Sequence, residues 1–599
     1  MAPRVCAGSK ILCFLVKFLS LNLNYQSPFD IESPQLLNNG DFYDFIIVGG
    51  GAAGAVLANR LSEVTDWKVL LLEAGGEEPN LADVPAFQPF TEQSRLNWYY
   101  ESVPDSRFCG GQSCAFMTGK GLGGSSLHNE MLYSRGNRRV FDMWEELGNA
   151  GWAFKDVLPY FKKWENNSDP SIAQDTEYHS VGGPQNVGRF PYHDKNMQPL
   201  LDAFQELGYQ QVDFNGRNQT GVMHAQFFQK DGARQSSNQA YLTPIRNKRP
   251  NLTVITNIRV TKVIINSVNK RAKGVAYAWE HDQHIKGKVY AKKEVIISCG
   301  AINSPQLLML SGIGPKNTLE SLGIPVLQDL KVGYNFQTSI KSGGIDLILP
   351  DPQQTVPSDG GILDEILEYY ERHQGPLSAE GSYQVTAYIH SRYSSLLVDF
   401  PDLQFGFLPK MKFHHLIKPG QEDPAIIPLS YYNRISVQPY DVRPNSHGYV
   451  TLNTTDPFSP PLIYPNFFSD EQDLNVLIDG YNFIANKLSK TRALNNKGIY
   501  LDTMPIPECK HFYFGTDSYW NCLSRTYKET SQRYGGSCKM GPSSDPSAVV
   551  DPHLKVHGFK NLRVVDASIM PIYVNANTYA VTLMIAEKGA GLIRDDWLK

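Results

Sequence analysis

Three stretches carry residue types that can do chemistry. The first is Gly49-Gly50-Gly51-Ala52-Ala53-Gly54, which satisfies G-x-G-x-x-G, with Glu73 19 residues beyond its last glycine. In such a fingerprint one glycine makes the tight turn after a strand and a second admits a pyrophosphate to the backbone. The third allows close helix–strand packing, and the acid holds an adenosine ribose hydroxyl. The second stretch is GKGLGGSSLHNEMLYSRGN, where Gly123, Gly124, Ser125 and Ser126 form a backbone nest suited to phosphate or a flavin edge. The third is SQRYGGSCKMG, Ser531–Gly541, centred on Arg533. Guanidinium stays protonated in a protein, so Arg533 can hold an anion or a developing alkoxide but cannot take a proton.

The elements that position these residues are legible around the first stretch. YDFIIVGG reads as a buried parallel strand, AAGAVLANRLSE as a helix with alanines facing the sheet, and WKVLLLEAGG as a second strand. KEVIISCG followed by AINSPQLLMLSGIG repeats the strand–helix pattern, and LRVVDASIMP with YAVTLMIAEKGAGLI closes the chain with another. LTVITNIRVTKVIINSVN and GVAYAWEH read as antiparallel strands, as do DLQFGFL and GYVTLN farther on. The fold class expected is α/β. A Rossmann-like nucleotide-binding domain is assembled from separated segments, and a mostly antiparallel α+β substrate domain is inserted. The expected boundaries are an N-terminal extension over 1–41, the nucleotide-binding domain over 42–342, the substrate domain over 343–540 and a returning segment over 541–599.

A chain of 599 residues exceeds a single core. Its net charge of −4 argues against a nucleic-acid partner, which needs a basic face. No run of 18 apolar residues is present to span a membrane. MAPRVCAGSK with ILCFLVKFLSLNL reads either as a secretory signal or as an N-terminal extension. Asn-x-Ser/Thr sequons occur at Asn166, Asn218, Asn251 and Asn453, and either Cys109 with Cys114 or Cys509 with Cys522 can form a disulfide in an oxidising compartment. The expectation is an extracellular protein. No metal ligand set is expected.

Together the motifs resemble the glucose–methanol–choline (GMC) flavoprotein oxidoreductases, in particular the insect glucose-dehydrogenase-like branch. The resemblance runs from Tyr43 to the C-terminus, through YDFIIVGGGAAGAVLANRLSE, KGLGGSSLHNEMLYSRGN, KEVIISCGAINSPQLLMLSGIGP, GSCKMGP and VVDPHLKVHGFKNLRVVDASIMP. It implies FAD as cofactor and oxidation of an alcohol, sugar or sterol CH–OH group by hydride transfer to flavin N5. Oxygen or a quinone would receive the electrons.

Carried over by motif, Gly49, Gly51, Ala52, Ala53, Gly54 and Glu73 resemble the binders of the ADP half of FAD, with Val260 also assigned to the cofactor. Gly123, Gly124, Ser125, Ser126 and Asn129 resemble the segment along pyrophosphate and flavin, and Asp566 and Ala567 lie beside it after the last strand. Asn577 matches the second residue of the family's catalytic pair. His128 occupies the place where choline-oxidase-like members attach flavin covalently; here it reads as a packed or hydrogen-bonding histidine, with attachment as the alternative.

Three departures stand out. Arg533 falls where the family places its histidine base, and general-base catalysis is typically worth ~100- to 10,000-fold. The family's VGxNLQDH reads Val332-Gly333-Tyr334-Asn335-Phe336-Gln337-Thr338-Ser339, without its Asp and His. Ala115-Phe116-Met117-Thr118-Gly119 lacks the usual Pro-Arg. Tyr534 and Tyr579 are the nearby phenols considered as alternative proton acceptors. The expectation is therefore an oxidoreductase with altered acid–base chemistry; the alternative is a flavin-binding protein of the same fold with little turnover.

Overall fold

The structure is a computed structural model that describes residues 37–351, 355–411 and 427–598, together with 14, 15 and 18. Most of the expected N-terminal extension thus lies outside the described residues.

The nucleotide-binding half is built on apolar runs that only a sheet covered on both faces can bury. β1 (Phe42–Val48), α1 (Ala52–Leu61) and β2 (Val69–Leu72) form the first βαβ turn. β3 (Leu252–Ile255), β4 (Ile258–Asn266), β5 (Arg271–Trp279), β6 (Lys286–Ile297) and α2 (Gly300–Leu310) follow. The sheet order is β3-β2-β1-β6-β5-β4, and the C-terminal strand Leu562–Val564 pairs with the end of β6. β1 runs parallel to both neighbours, with Ile47 opposite Leu71 and Ile296. LTVI departs from the antiparallel expectation. It is β3, a parallel strand beside β2, because Asn257 at φ +58° breaks the run and returns the chain as β4. The C-terminal helix Thr578–Trp597 packs on α1, where Arg60 pairs with the buried Glu587 at 2.8 Å.

The second sheet is antiparallel around β7 (Ile345–Ile348), β8 (Val385–Ile389), β9 (Leu403–Lys410) and β10 (Arg434–Asp441). It also takes Gly221–His224 and Ile340–Lys341 from within the 42–342 segment, joining β8 and β10 respectively. Strand alternation divides its two faces. Leu403, Phe405, Phe407, Ile435 and Val437 enter a core with Phe204, Tyr481 and Trp520. Gln404 and Tyr440 therefore point the other way, toward the nucleotide-binding half. Disulfides join Cys109 to Cys114 and Cys509 to Cys522.

Candidate active site

The two glycine clusters pack backbone to backbone. Gly123 N–H donates to the Gly50 carbonyl at 2.9 Å, and a Cβ on Gly124 would lie 2.7 Å from the Gly51 Cα. At Gly54 a Cβ would lie 1.8 Å from the Gly49 carbonyl oxygen, so only glycine lets α1 follow β1 this closely. The cap position of α1, Gly51, offers no side-chain hydrogen bond, leaving the first-turn N–H groups for an anion. Glu73 accepts from Gly50 N–H and Gly75 N–H, both at 2.7 Å, while burial raises its carboxyl pKa against those two bonds.

These loops border a cavity of about 390 Å³ that continues to the substrate sheet. Gly49, Gly51, Ala52, Ala53 and Glu73 line one part. Gly124, Ser125, Ser126, His128, Asn129 and Val260 also face it, with Asp566, Ala567, Arg533 and Asn577 completing the set named from sequence. Gly54 and Gly123 stand behind this lining: Gly54 lets α1 follow β1 closely, and Gly123 ties the second loop to the first through Gly50. The Ser126 hydroxyl donates to the Gly123 carbonyl at 2.7 Å. Asp566 anchors the wall, accepting from Gly300 N–H at 2.9 Å, Ser304 Oγ at 2.5 Å and Ser568 N–H at 2.8 Å. Asn129 is fixed by Arg234, whose Nη1 donates to its side-chain oxygen at 2.8 Å.

Several buried polar groups of residues that line this cavity have no partner among the described residues. Both His128 ring nitrogens, Asn577 Oδ1, and Nε of Arg533 make no hydrogen bond. Burial, with Arg234 nearby, pushes the His128 imidazole down to about 4, so the ring is neutral at physiological pH. Asn577 caps the C-terminal helix by position only, its side chain making no capping bond. Unpaired groups of this kind, with an uncapped helix start and a glycine cradle, fit a dinucleotide and a small polar substrate.

Arg533 is 4% exposed. Nη1 donates to Gln404 Oε1 at 2.6 Å, the guanidinium lies 4.8 Å from the Tyr440 ring centre, and Nη2 is 3.9 Å from Glu130 Oε2. Nη2 makes no hydrogen bond. Burial opposes its charge, but Tyr383, Tyr440 and Glu130 outweigh burial and hold the guanidinium protonated. Tyr534 and Tyr579 are tied up instead of free to accept a proton. Tyr534 shares a 2.8 Å hydrogen bond with Thr530, Tyr579 donates to Gln185 at 2.9 Å, and burial raises both phenols well above their usual range.

Sequence reasoning missed Glu130, Tyr383, Gln404 and Tyr440. Glu130 was in view, directly after Asn129, but the other three come from the substrate half and show only strand alternation or turn character. The three stretches expected from the sequence to depart from the family pattern meet here. Gln337 and Gly535 exchange backbone hydrogen bonds of 2.9 Å, and Ser531 Oγ donates to the Ser339 carbonyl at 2.7 Å. Thr530 Oγ1 donates to the Ala115 carbonyl at 3.1 Å, and the Tyr534 ring stacks on Phe116 and Phe336.

A mixed sheet bearing the glycine fingerprint, with a second domain closing a cavity over it, defines a two-domain dinucleotide-binding protein. The chain belongs to the GMC oxidoreductase family, whose models match residues 43–340 and 444–586. It is 40% identical to a glucose dehydrogenase (FAD, quinone) of Drosophila pseudoobscura pseudoobscura, over 99% of this chain and 94% of that one. It is 37% identical to an oxygen-dependent choline dehydrogenase of Staphylococcus aureus, over 93% and 94%. A formate oxidase structure from Aspergillus oryzae RIB40 superposes with a TM-score of 0.81 at 25% identity, covering 94% of this chain and all of that one. FAD is the cofactor. Among the described residues no helix is long and apolar enough to cross a membrane.

Proposed function

We propose that this protein oxidises a CH–OH group of an alcohol or sugar, with Arg533 and Asn577 holding the reacting oxygen. The observation that carries the reading is that Arg533 and Asn577 line one cavity, each with a buried polar atom, the Nε donor and the Oδ1 acceptor, that has no partner among the described residues. An alcohol can donate its O–H to Asn577 and receive an N–H from Arg533. The guanidinium then stabilises negative charge as it develops on that oxygen. Bound FAD supplies the hydride acceptor at N5. The relatives' names point to D-glucose as the first probe, and to a quinone or oxygen as the electron acceptor.

The test is anaerobic mixing of the holoprotein with D-glucose and a panel of primary and secondary alcohols. Loss of the oxidised-flavin absorbance at roughly 450 nm is the expected result. The replacement of the family's histidine by a permanent cation supports a second reading, a flavin-binding protein with little turnover. Bleaching absent in the wild type and present in Arg533→His would select it. The paired cysteines and the exposed side chains of Asn218 and Asn453 support a secreted protein.

A further inference from the structure

We propose that Glu130 is the proton acceptor of this site, standing in for the histidine that Arg533 has displaced. The inference rests on the alcohol-oxidation reading above and assigns its missing base.

Glu130 lines the same cavity as Arg533 and Asn577, and its side chain is 28% exposed there. One carboxylate oxygen, Oε2, accepts the Tyr383 hydroxyl at 2.5 Å and faces Arg533 Nη2 at 3.9 Å. Oε1 has no hydrogen-bond partner among the described residues. The carboxylate is therefore held by two groups on one side and open on the other.

The other candidates in the cavity are occupied or in the wrong state. His128 is neutral but buried and hard to protonate, pushed down to about 4. Glu92 accepts from Gln532, and burial raises its pKa. Glu529 is bound by the Tyr527 hydroxyl at 2.6 Å and by Lys341 at 3.3 Å, which keeps its pKa low and its charge committed. Glu380 is fully buried and lies outside the cavity lining, with desolvation raising its carboxyl pKa well above the ordinary range against the nearby Arg234. The charged and titratable groups that face Glu130 are then Arg533, Tyr383, Tyr440, Lys341, Glu92 and Glu380. Burial and Glu130 itself raise the Tyr383 phenol well above its usual range, so Tyr383 donates and does not compete for the proton.

The step balances. As the C–H bond breaks, its electron pair leaves as hydride to the flavin. The substrate O–H turns from Asn577 Oδ1 to Glu130 and breaks there, its proton bonds to Glu130, and the O–H electron pair closes the C=O bond. Arg533 steadies the oxygen between these events. The proton returns to solvent through the cavity in the oxidative half of the cycle.

The experiment compares wild-type, Glu130→Gln and Glu130→Asp holoproteins of equal flavin content. Flavin bleaching by whichever alcohol reduces the wild type should fall ~100- to 10,000-fold in Glu130→Gln, the usual worth of a general base, and recover in part in Glu130→Asp. Difference infrared spectra of wild type against Glu130→Gln, taken without substrate, should show one carboxylate band at pH 7. Unchanged bleaching in Glu130→Gln overturns the proposal. So does a protonated carboxyl band at pH 7, because an acid already holding its proton cannot accept another. The infrared result needs no turnover, so a wild type that no alcohol bleaches counts against the proposed reaction and not against Glu130.

Discussion

Replacing Arg533 with methionine removes the guanidinium while keeping most of the side-chain volume. The catalytic loss follows from what the charge touches. A preorganised donor aimed at a developing oxyanion is typically worth 100- to 1,000-fold in kcat, or ~3–4 kcal/mol. Arg533→Met should lower kcat by that factor. The structural loss is smaller than the contacts suggest. Gln404 Oε1 loses its 2.6 Å donor, at a cost of ~1–3 kcal/mol. The attraction to Glu130 across 3.9 Å is about 4 kcal/mol at an effective dielectric near 20, reduced further because Glu130 is partly exposed. Against both stands the several kcal/mol that burying a guanidinium costs. These terms nearly cancel, so the variant should fold and retain FAD.

The assay is stopped-flow flavin bleaching across substrate concentration, with flavin content and circular dichroism as controls. A role in the transition state lowers kcat and kcat/KM together, whereas a role in ground-state binding raises KM alone. Arg533→Lys should fall between wild type and methionine, since an ammonium keeps the charge without the planar fork. An Arg533→Met holoprotein that bleaches as fast as wild type, or faster, would refute the reasoning.

Three further outcomes are expected. Glycan mapping of secreted protein should find sugars at Asn218 and Asn453 but not at Asn251, whose amide donates to the Ser62, Val64 and Trp67 carbonyls at 3.0–3.1 Å. Gly54→Ala should abolish FAD retention in purified protein, because its Cβ would meet the Gly49 carbonyl at 1.8 Å and force α1 off β1; stoichiometric flavin in that variant would contradict the packing. Burial, with Asp83 adding to it, pushes the Glu78 carboxyl up to about 7, so its stabilising contribution is complete below the ordinary carboxylate value and lost as pH rises toward 7. Glu78→Gln should therefore gain stability on wild type between about pH 4.5 and 7, by up to ~3 kcal/mol less the ~1–3 kcal/mol cost of its unpaired amide, read as the pH slope of the difference in apparent melting temperature.

The nucleotide-binding half was readable because its determinants are local. An apolar run, a glycine turn and a small-residue helix must all follow one another within about thirty residues, and the acid at the end of β2 completes the signal. The same locality misplaced LTVI, since nothing in that run shows that Asn257 adopts a positive φ and hands the chain from a parallel to an antiparallel strand. The substrate half was legible only as strands. DLQFGFL displays its alternation openly, with Leu403, Phe405 and Phe407 on one face and Gln404 on the other. What Gln404 faces is decided by a segment 129 residues away in sequence, and Tyr383 and Tyr440 reach the same guanidinium from separate elements. Long-range closure of that kind leaves no periodic mark.

The convergence of the three departures bears on whether the site has decayed or been rebuilt. Loss of function by drift would leave a buried arginine with whatever neighbours happened to be there. Here the Arg533 segment exchanges backbone hydrogen bonds with Gln337, ties its Ser531 hydroxyl to the Ser339 carbonyl and seats Tyr534 between Phe116 and Phe336. Each of those contacts involves a stretch that the sequence reading expects to depart from the family's motif. The guanidinium is then met by an amide, a phenol ring and a carboxylate from separate parts of the chain, which is the partnering that makes a buried charge tolerable. What remains unpaired is limited to Nε, together with an Nη2 that has only a distant carboxylate, and Arg533 lines the same cavity as Asn577, whose Oδ1 is also unpaired among the described residues. A buried donor left unmet costs ~1–3 kcal/mol. A fold that meets this arginine with an amide, a ring and a carboxylate from separate segments has the form of a built site, and that favours rebuilt chemistry over a relic.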